Sequence, residues 1–215
     1  MNYNQILSTI PPGKVTLVVV SKTQPIEKIR EVYESGQRDF GENRVQELLD
    51  KKDKLPSDIR WHLIGHLQRN KVKYIAPFIH LIHSVDSMAL LEEINKCALN
   101  NERTIDLLLE VFIASEETKF GLNEAEVVDL LKDEKYESLK NIRVCGLMGM
   151  ATNTPEREKV RNEFATLKKL FDKVKNEIFP NDNYFNILSM GMSSDYIIAI
   201  EEGSSMVRVG SAIFK

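Results

Sequence analysis

The sequence predicts an α/β fold, a single closed (β/α)8 barrel over residues 1–215, and three observations lead there. Short apolar runs alternate with longer stretches whose apolar residues recur every three or four positions, the pattern of strands buried between helices. Eight such runs fit into 215 residues, a length that suits one sizeable domain. The first run ends in SKTQP, with a lysine and no glycine, where an open dinucleotide-binding sheet carries GxGxxG. That favours a closed barrel over a doubly wound sheet.

The strands are expected at 15–21, 39–41, 61–65, 81–85, 105–113, 144–148, 185–189 and 206–209, and helices near 26–35, 43–54, 68–76, 87–100, 123–135, 156–178 and 194–202. The helix at 156–178 is the clearest. Val160, Phe164, Leu167, Phe171, Val174 and Ile178 step by four and three and build one apolar face. Pro155 and Pro180 punctuate its ends, since proline cannot donate the amide hydrogen an interior turn needs. Three heptads with no continuation argue for packing on the sheet rather than a coiled coil.

Composition excludes several functions. Twenty-nine Lys+Arg against 32 Asp+Glu give a net charge of -3. With a pI near 5.9 the chain has no basic stripe for a nucleic-acid backbone. No apolar run approaches the ~20 residues that span a bilayer. The first residues, MNYNQILSTIPPGK, do not read as a signal peptide, so a cytoplasmic location is expected. Cys97 and Cys145 stand far apart without a CxxC pair, which suggests two reduced thiols.

In a barrel, reactive groups sit where strands run into loops, and phosphates bind after the seventh and eighth strands. Val18, Val20 and Lys22 alternate to one side, so the Lys22 amine is expected in the barrel mouth, where burial would favour a neutral, nucleophilic form. A solvated surface lysine is the plain alternative. NILSMGMSSDY offers Gly191 for a tight turn and Ser193, Ser194 and Asp195 as helix caps, a natural anion site or simply a capped helix. The turn lacks the second glycine of GxSxG, so nucleophilic hydrolysis is a weaker reading. SSMVRVGSAIF supplies a second turn at Gly210 and Ser211, and Arg208 points to the side of Gly210 in an apolar strand. A buried guanidinium demands a carboxylate, a phosphate or an unprotonated ring nitrogen. Asn43 after FGE either caps a helix or faces the mouth. His62 and His66 are four apart, but on a strand and turn rather than a helix, so no metal site is expected.

VVVSKTQP, FGENRVQE, WHLIGHLQRNK, LIHSVDS, TKFGL, GLMGM, LSMGMSSDY and MVRVGSAIF follow in the order found in the pyridoxal-phosphate homeostasis protein family, which the chain resembles over nearly its whole length. That family is similar to the barrel domain of alanine racemase. The resemblance implies a (β/α)8 barrel of that type holding pyridoxal 5′-phosphate through a Schiff base to Lys22. It places Ser189, Gly191, Ser193, Gly210 and Ser211 in the phosphate-binding segments, Arg208 opposite the pyridine nitrogen, and Asn43 in the motif beside the ring. Ser211 is commonly threonine in the family, and either hydroxyl can donate to phosphate.

An arginine at the ring nitrogen keeps that nitrogen unprotonated and weakens the cofactor as an electron sink. The chain ends soon after the eighth strand, without room for the second domain that completes the racemases. The expectation is a monomeric, non-catalytic protein that binds and buffers pyridoxal phosphate in vitamin B6 homeostasis and delivers it to apo-enzymes. The alternatives are a racemase-like or decarboxylase enzyme completed by another subunit, and a barrel enzyme acting on a phosphorylated sugar. The lead before the first strand is short, and the N-terminal helix usual in relatives is expected to be reduced.

Overall fold

The computed structural model describes residues 2–114 and 121–214. Helix α1 (Tyr3–Leu7) precedes β1 (Thr16–Val20), and strands and helices then alternate. They are α2 (Ile26–Glu34), β2 (Asp39–Glu42), α3 (Val45–Lys52), β3 (Arg60–Leu63), a 3-10 turn (Arg69–Lys71) leading into α4 (Val72–Ile75), β4 (Leu81–Val85) and α5 (Met88–Asn100). There follow β5 (Ile105–Phe112), α6 (Glu124–Lys132), α7 (Glu134–Ser138), β6 (Ile142–Met150), α8 (Arg157–Glu177), β7 (Ile187–Ser189), α9 (Tyr196–Glu201) and β8 (Met206–Val209). The eight strands are parallel and close in sequence order, β1 pairing with both β2 and β8. Closure leaves no strand edge open.

Alternation along each strand separates two apolar layers. Val18, Leu81, Leu108, Cys145, Met148 and Met206 fill the interior of the barrel. Phe40, Leu63, Ile82, Leu107 and Val207 face outward into a larger core shared with the helices. Helix α8 joins that core through Val160, Phe164, Leu167, Phe171 and Val174, all buried, as its spacing predicts. Each such side chain contributes roughly 1.5–3 kcal/mol by leaving water.

One helix departs from the sequence reading, and another is as short as the lead before β1 suggests. The helix expected over 123–135 breaks at Asp133, which is extended and whose carboxylate accepts from the Lys135 amide, starting α7. A short polar side chain that offers the backbone a local partner competes with helix continuation. Helix α1, five residues long, is too short to show a period, yet Asn2 and Gln5 close a reciprocal capping box around it.

Strand β6 carries a bulge. Leu107 pairs with Val144 but Leu108 pairs with Gly146, leaving Cys145 as the extra residue. Gly146 adopts φ 155°, and a Cβ there would lie 1.7 Å from the Ile187 carbonyl oxygen. The extra residue resets the alternation. Cys145 and then Met148 point inward, while Leu147 joins the outer core.

Candidate functional site: the carboxyl-end mouth of the barrel

All β strands run toward one mouth, where the segments that follow β1, β2, β7 and β8 lie. Lys22 follows β1 by two residues. Ser21 is fully buried and donates to Glu42 Oε1 at 2.6 Å. The neighbours of Lys22 are fixed from α3. Lys51 Nζ donates to the Ser21 carbonyl at 2.7 Å and to Glu42 Oε1 at 2.8 Å, and the Thr23 amide donates to Glu47. The expectation of a buried Lys22 is not met, because the residue is exposed. The strand ends at Val20 and Thr23 takes the left-handed φ of 63°, so the chain leaves the barrel wall before the lysine is covered.

The turns after β7 and β8 meet. Gly191, at φ 96°, lies so close to α9 that a Cβ would fall 2.5 Å from the Ala199 Cβ. Only glycine meets both demands at low cost. The Gly210 amide donates to Ser193 Oγ at 3.2 Å and ties one turn to the other. Among the described residues, no protein acceptor takes the amides of Ser193, Ser194, Ser211 or Ala212. Backbone N–H groups that converge without a partner form an anion cradle. A Cβ at Gly210 would lie 2.7 Å from the Val20 carbonyl oxygen, so the cradle abuts the end of β1 just before Lys22. The cap of α9 is Asp195, whose carboxylate accepts from the Met192 amide at 2.6 Å, rather than Ser193 or Ser194. A recess of about 320 Å³ opens alongside, between Thr152, Arg157, Ser194 and Asp195.

Beneath the cradle lies Arg208, only 4% exposed. Its guanidinium donates to the Ser189 carbonyl at 2.8 Å, to Ser189 Oγ at 2.6 Å and, from the other amino group, to the Gly149 carbonyl at 3.0 Å. Burial pulls its pKa down to about 10, with Asp195 and Glu110 opposing, so it stays a cation at neutral pH. Ser189 is fully buried, and its hydroxyl contacts Arg208 and His83 Nδ1. It therefore sits under the guanidinium, with its hydroxyl engaged below the cradle instead of facing it. Asn43 follows β2 at the same mouth and does not cap α3, whose cap is Arg44. Its backbone packs so tightly on Gly65 that a Cβ there would lie 2.5 Å from the Asn43 carbonyl oxygen.

Several groups escaped the sequence reading. Glu110, 5% exposed, occupies an inward position of β5. Burial pushes its carboxyl up to about 7, Asp86 adding to the rise and Arg208 opposing it. The period-two pattern of Asp106, Leu108 and Glu110 was the available signal. A raised carboxyl contributes stability that is fully present below the unfolded value near ~4.3 and lost as pH rises through the folded value. Glu110→Gln is therefore expected to raise the thermal midpoint at pH 8 by at most ~3 kcal/mol of stability, an advantage that shrinks toward pH 5. A constant difference across a pH series of melts would contradict this.

His62 and His66 do not come together. His62 is buried inside the barrel, whereas His66 is exposed beside Asp86. At the opposite mouth, ligand atoms of Asp39, His62 and His80 lie within 4.8 Å of one another. Asp39 there already accepts a two-pronged contact from Arg60, at 2.7 and 2.6 Å, and a contact with His62 at 3.1 Å. Of the TKFGL segment, residues 118–120 lie outside the described residues.

A parallel eight-stranded barrel with an inward arginine beneath an amide cradle defines the class: the chain matches the family described as alanine racemase, N-terminal domain, over residues 1–215. It is 42% identical over 203 residues to the pyridoxal phosphate homeostasis protein of Aquifex aeolicus, covering 92% of this chain and 85% of that one. Against the protein of that name from Schizosaccharomyces pombe it is 37% identical over 215 residues, covering 98% and 88%. PipY of Synechococcus elongatus, solved with PLP bound, superposes with a TM-score of 0.88 at 35% identity, over 99% of this chain and 97% of PipY. The chain belongs to the pyridoxal phosphate homeostasis protein family. An alanine racemase from Bartonella henselae, 16% identical with a TM-score of 0.73, shares the fold over 97% of this chain and 56% of its own.

Proposed function

We propose that this chain binds pyridoxal 5′-phosphate in the carboxyl-end mouth of its barrel and serves homeostasis of that cofactor. The observation that carries the reading is the joined pair of turns, with the amides of Ser193, Ser194, Ser211 and Ala212 unclaimed beside the end of β1. The residues fit the ligand. The cradle suits a phosphate, the Arg208 guanidinium has only donors to offer a ring nitrogen, and the second turn packs on Val20, two residues before Lys22. Relatives that bear the homeostasis name and the PLP-bound structure of PipY support the same ligand.

When bound, the cofactor supplies an aldehyde that condenses reversibly with amines. Lys22 would hold it through its amine, with loss of water, and Asn43 would stand beside the ring. Arg208, having only donors, would favour an unprotonated ring nitrogen, which works against carbanion chemistry and supports a protein without turnover of its own. The reading extends to a monomer of one domain in the cytoplasm that buffers pyridoxal phosphate and yields it to apo-enzymes. No helix among the described residues is long and apolar enough to cross a membrane.

The purified protein incubated with pyridoxal phosphate is expected to turn yellow and, after borohydride, to gain the mass of one cofactor less an oxygen atom, water being lost and two hydrogens added. A colourless protein with unchanged mass would reject the function.

A further inference from the structure

A polar thread crosses the barrel from one mouth to the other through its apolar interior. Arg208 donates to Ser189 Oγ at 2.6 Å, and Ser189 Oγ meets His83 Nδ1 at 3.1 Å. His83 Nε2 meets His62 Nδ1 at 3.0 Å, and His62 Nε2 meets Asp39 Oδ1 at 3.1 Å. Ser189, His83 and His62 are each fully buried, so every hydrogen must find its acceptor within the thread.

The Arg208 end dictates one polarity, and the Asp39 end is compatible with it. Arginine has no acceptor, so Ser189 Oγ receives its N–H, and the single hydroxyl hydrogen has only His83 Nδ1 to go to. His83 then carries its own hydrogen on Nε2 and donates to His62 Nδ1. Starting from the other end, an ionised Asp39 can only accept. Burial alone would raise its carboxyl, but the Arg60 fork and His62 hold it well below the usual carboxylate range. His62 must therefore donate from Nε2, and because His83 donates to its Nδ1, that nitrogen accepts. The reverse tautomer of His83 would aim two N–H groups at Ser189 and strand its hydroxyl hydrogen in a buried site, at a cost of about 1–3 kcal/mol. The charged and titratable groups around His83 are Arg208 from β8, His62 from β3 and His80 from the segment before β4. Burial and these neighbours keep His83 neutral, its pKa well below the usual value.

We propose that His83 is a positioning residue for the cofactor site: by taking the Ser189 hydroxyl hydrogen it turns that oxygen's lone pairs to Arg208, and His62 and Asp39 are compatible with the tautomer that does so. The role rests on the reading that the upper mouth binds pyridoxal phosphate. It also gives Ser189 a different task from phosphate contact, since its one hydrogen is committed below.

The unliganded protein tests the polarity directly. In 15N spectra of histidine-labelled protein at neutral pH, His62 and His83 are expected to carry hydrogen on Nε2 alone; His83 protonated on Nδ1 overturns the proposal. His83→Leu removes the acceptor, whereas His83→Gln can both accept from Ser189 and donate to His62. Pyridoxal phosphate titrations should show about tenfold weaker binding and a displaced absorbance band for the leucine variant, and recovery to within about threefold in the glutamine variant. Ser189→Ala carries the same comparison should the leucine variant not fold, and wild-type affinity in that variant overturns the role. Wild-type protein that binds no cofactor rejects the proposed function, and this role with it. Wild-type binding with an unaffected leucine variant rejects the role alone.

Discussion

Lys22→Ala should leave no borohydride-fixed cofactor on the protein, while the folded state is untouched. Lys22 is exposed and its side chain makes no hydrogen bond or ion pair among the described residues, so its removal falls in the range of about ±0.5 kcal/mol typical of surface substitutions. The contacts that set the backbone on either side, Lys51 to the Ser21 carbonyl and the Thr23 amide to Glu47, do not involve it. The amide cradle and Arg208 also remain, so pyridoxal phosphate should still bind, but reversibly and at least about tenfold more weakly, or ~1.4 kcal/mol. Mass spectrometry of the reduced, digested protein decides the matter. Wild type should carry the adduct on the peptide with Lys22, and an adduct that survives in the variant would move the covalent site to another lysine.

The second large effect concerns the fold. Gly146→Ala would set a methyl 1.7 Å from the Ile187 carbonyl oxygen, at a φ of 155° that side chains rarely adopt. Both atoms in the clash belong to paired strands of a closed barrel, so neither can withdraw without breaking the β6–β7 ladder. A cost of about 4 kcal/mol or more belongs to the extreme class of single substitutions, a large share of the ~5–15 kcal/mol that holds a domain together. The thermal midpoint should fall by at least roughly 8 °C at this chain length. A melt within a degree or two of wild type would show that the bulge relaxes freely.

The barrel was legible because its strands are buried on both faces, which writes continuous apolar runs into the sequence. Strand β8 begins and ends at the expected residues, and β4 does too. What escaped was set by tertiary contact. Phe185 is buried as expected but lies outside β7, which starts at Ile187. At the site, period two placed Arg208 on the side of Gly210, glycine spacing placed the two turns, and the family resemblance alone brought in Ser189. The sequence did not show that Ser189 would spend its hydroxyl on His83, a residue 106 positions away. Nor did it show that β1 would stop early enough to expose Lys22, which depends on the turn at Thr23 and its anchor on α3. His83 was visible in LIHSVDS, but a single inward histidine says nothing of the partners that two other strands bring to it.

The extra residue in β6 makes that strand sensitive to length rather than to composition. Beyond Gly146 the parity of the strand is reversed, and it is on this reversed stretch that the Gly149 carbonyl meets the Arg208 guanidinium. Excising one residue would straighten the ladder and yet turn Leu147 and Met148 inside out, carrying the arginine's third acceptor away with them. Insertions and deletions are thus barred from a segment whose side chains are otherwise ordinary aliphatic filling.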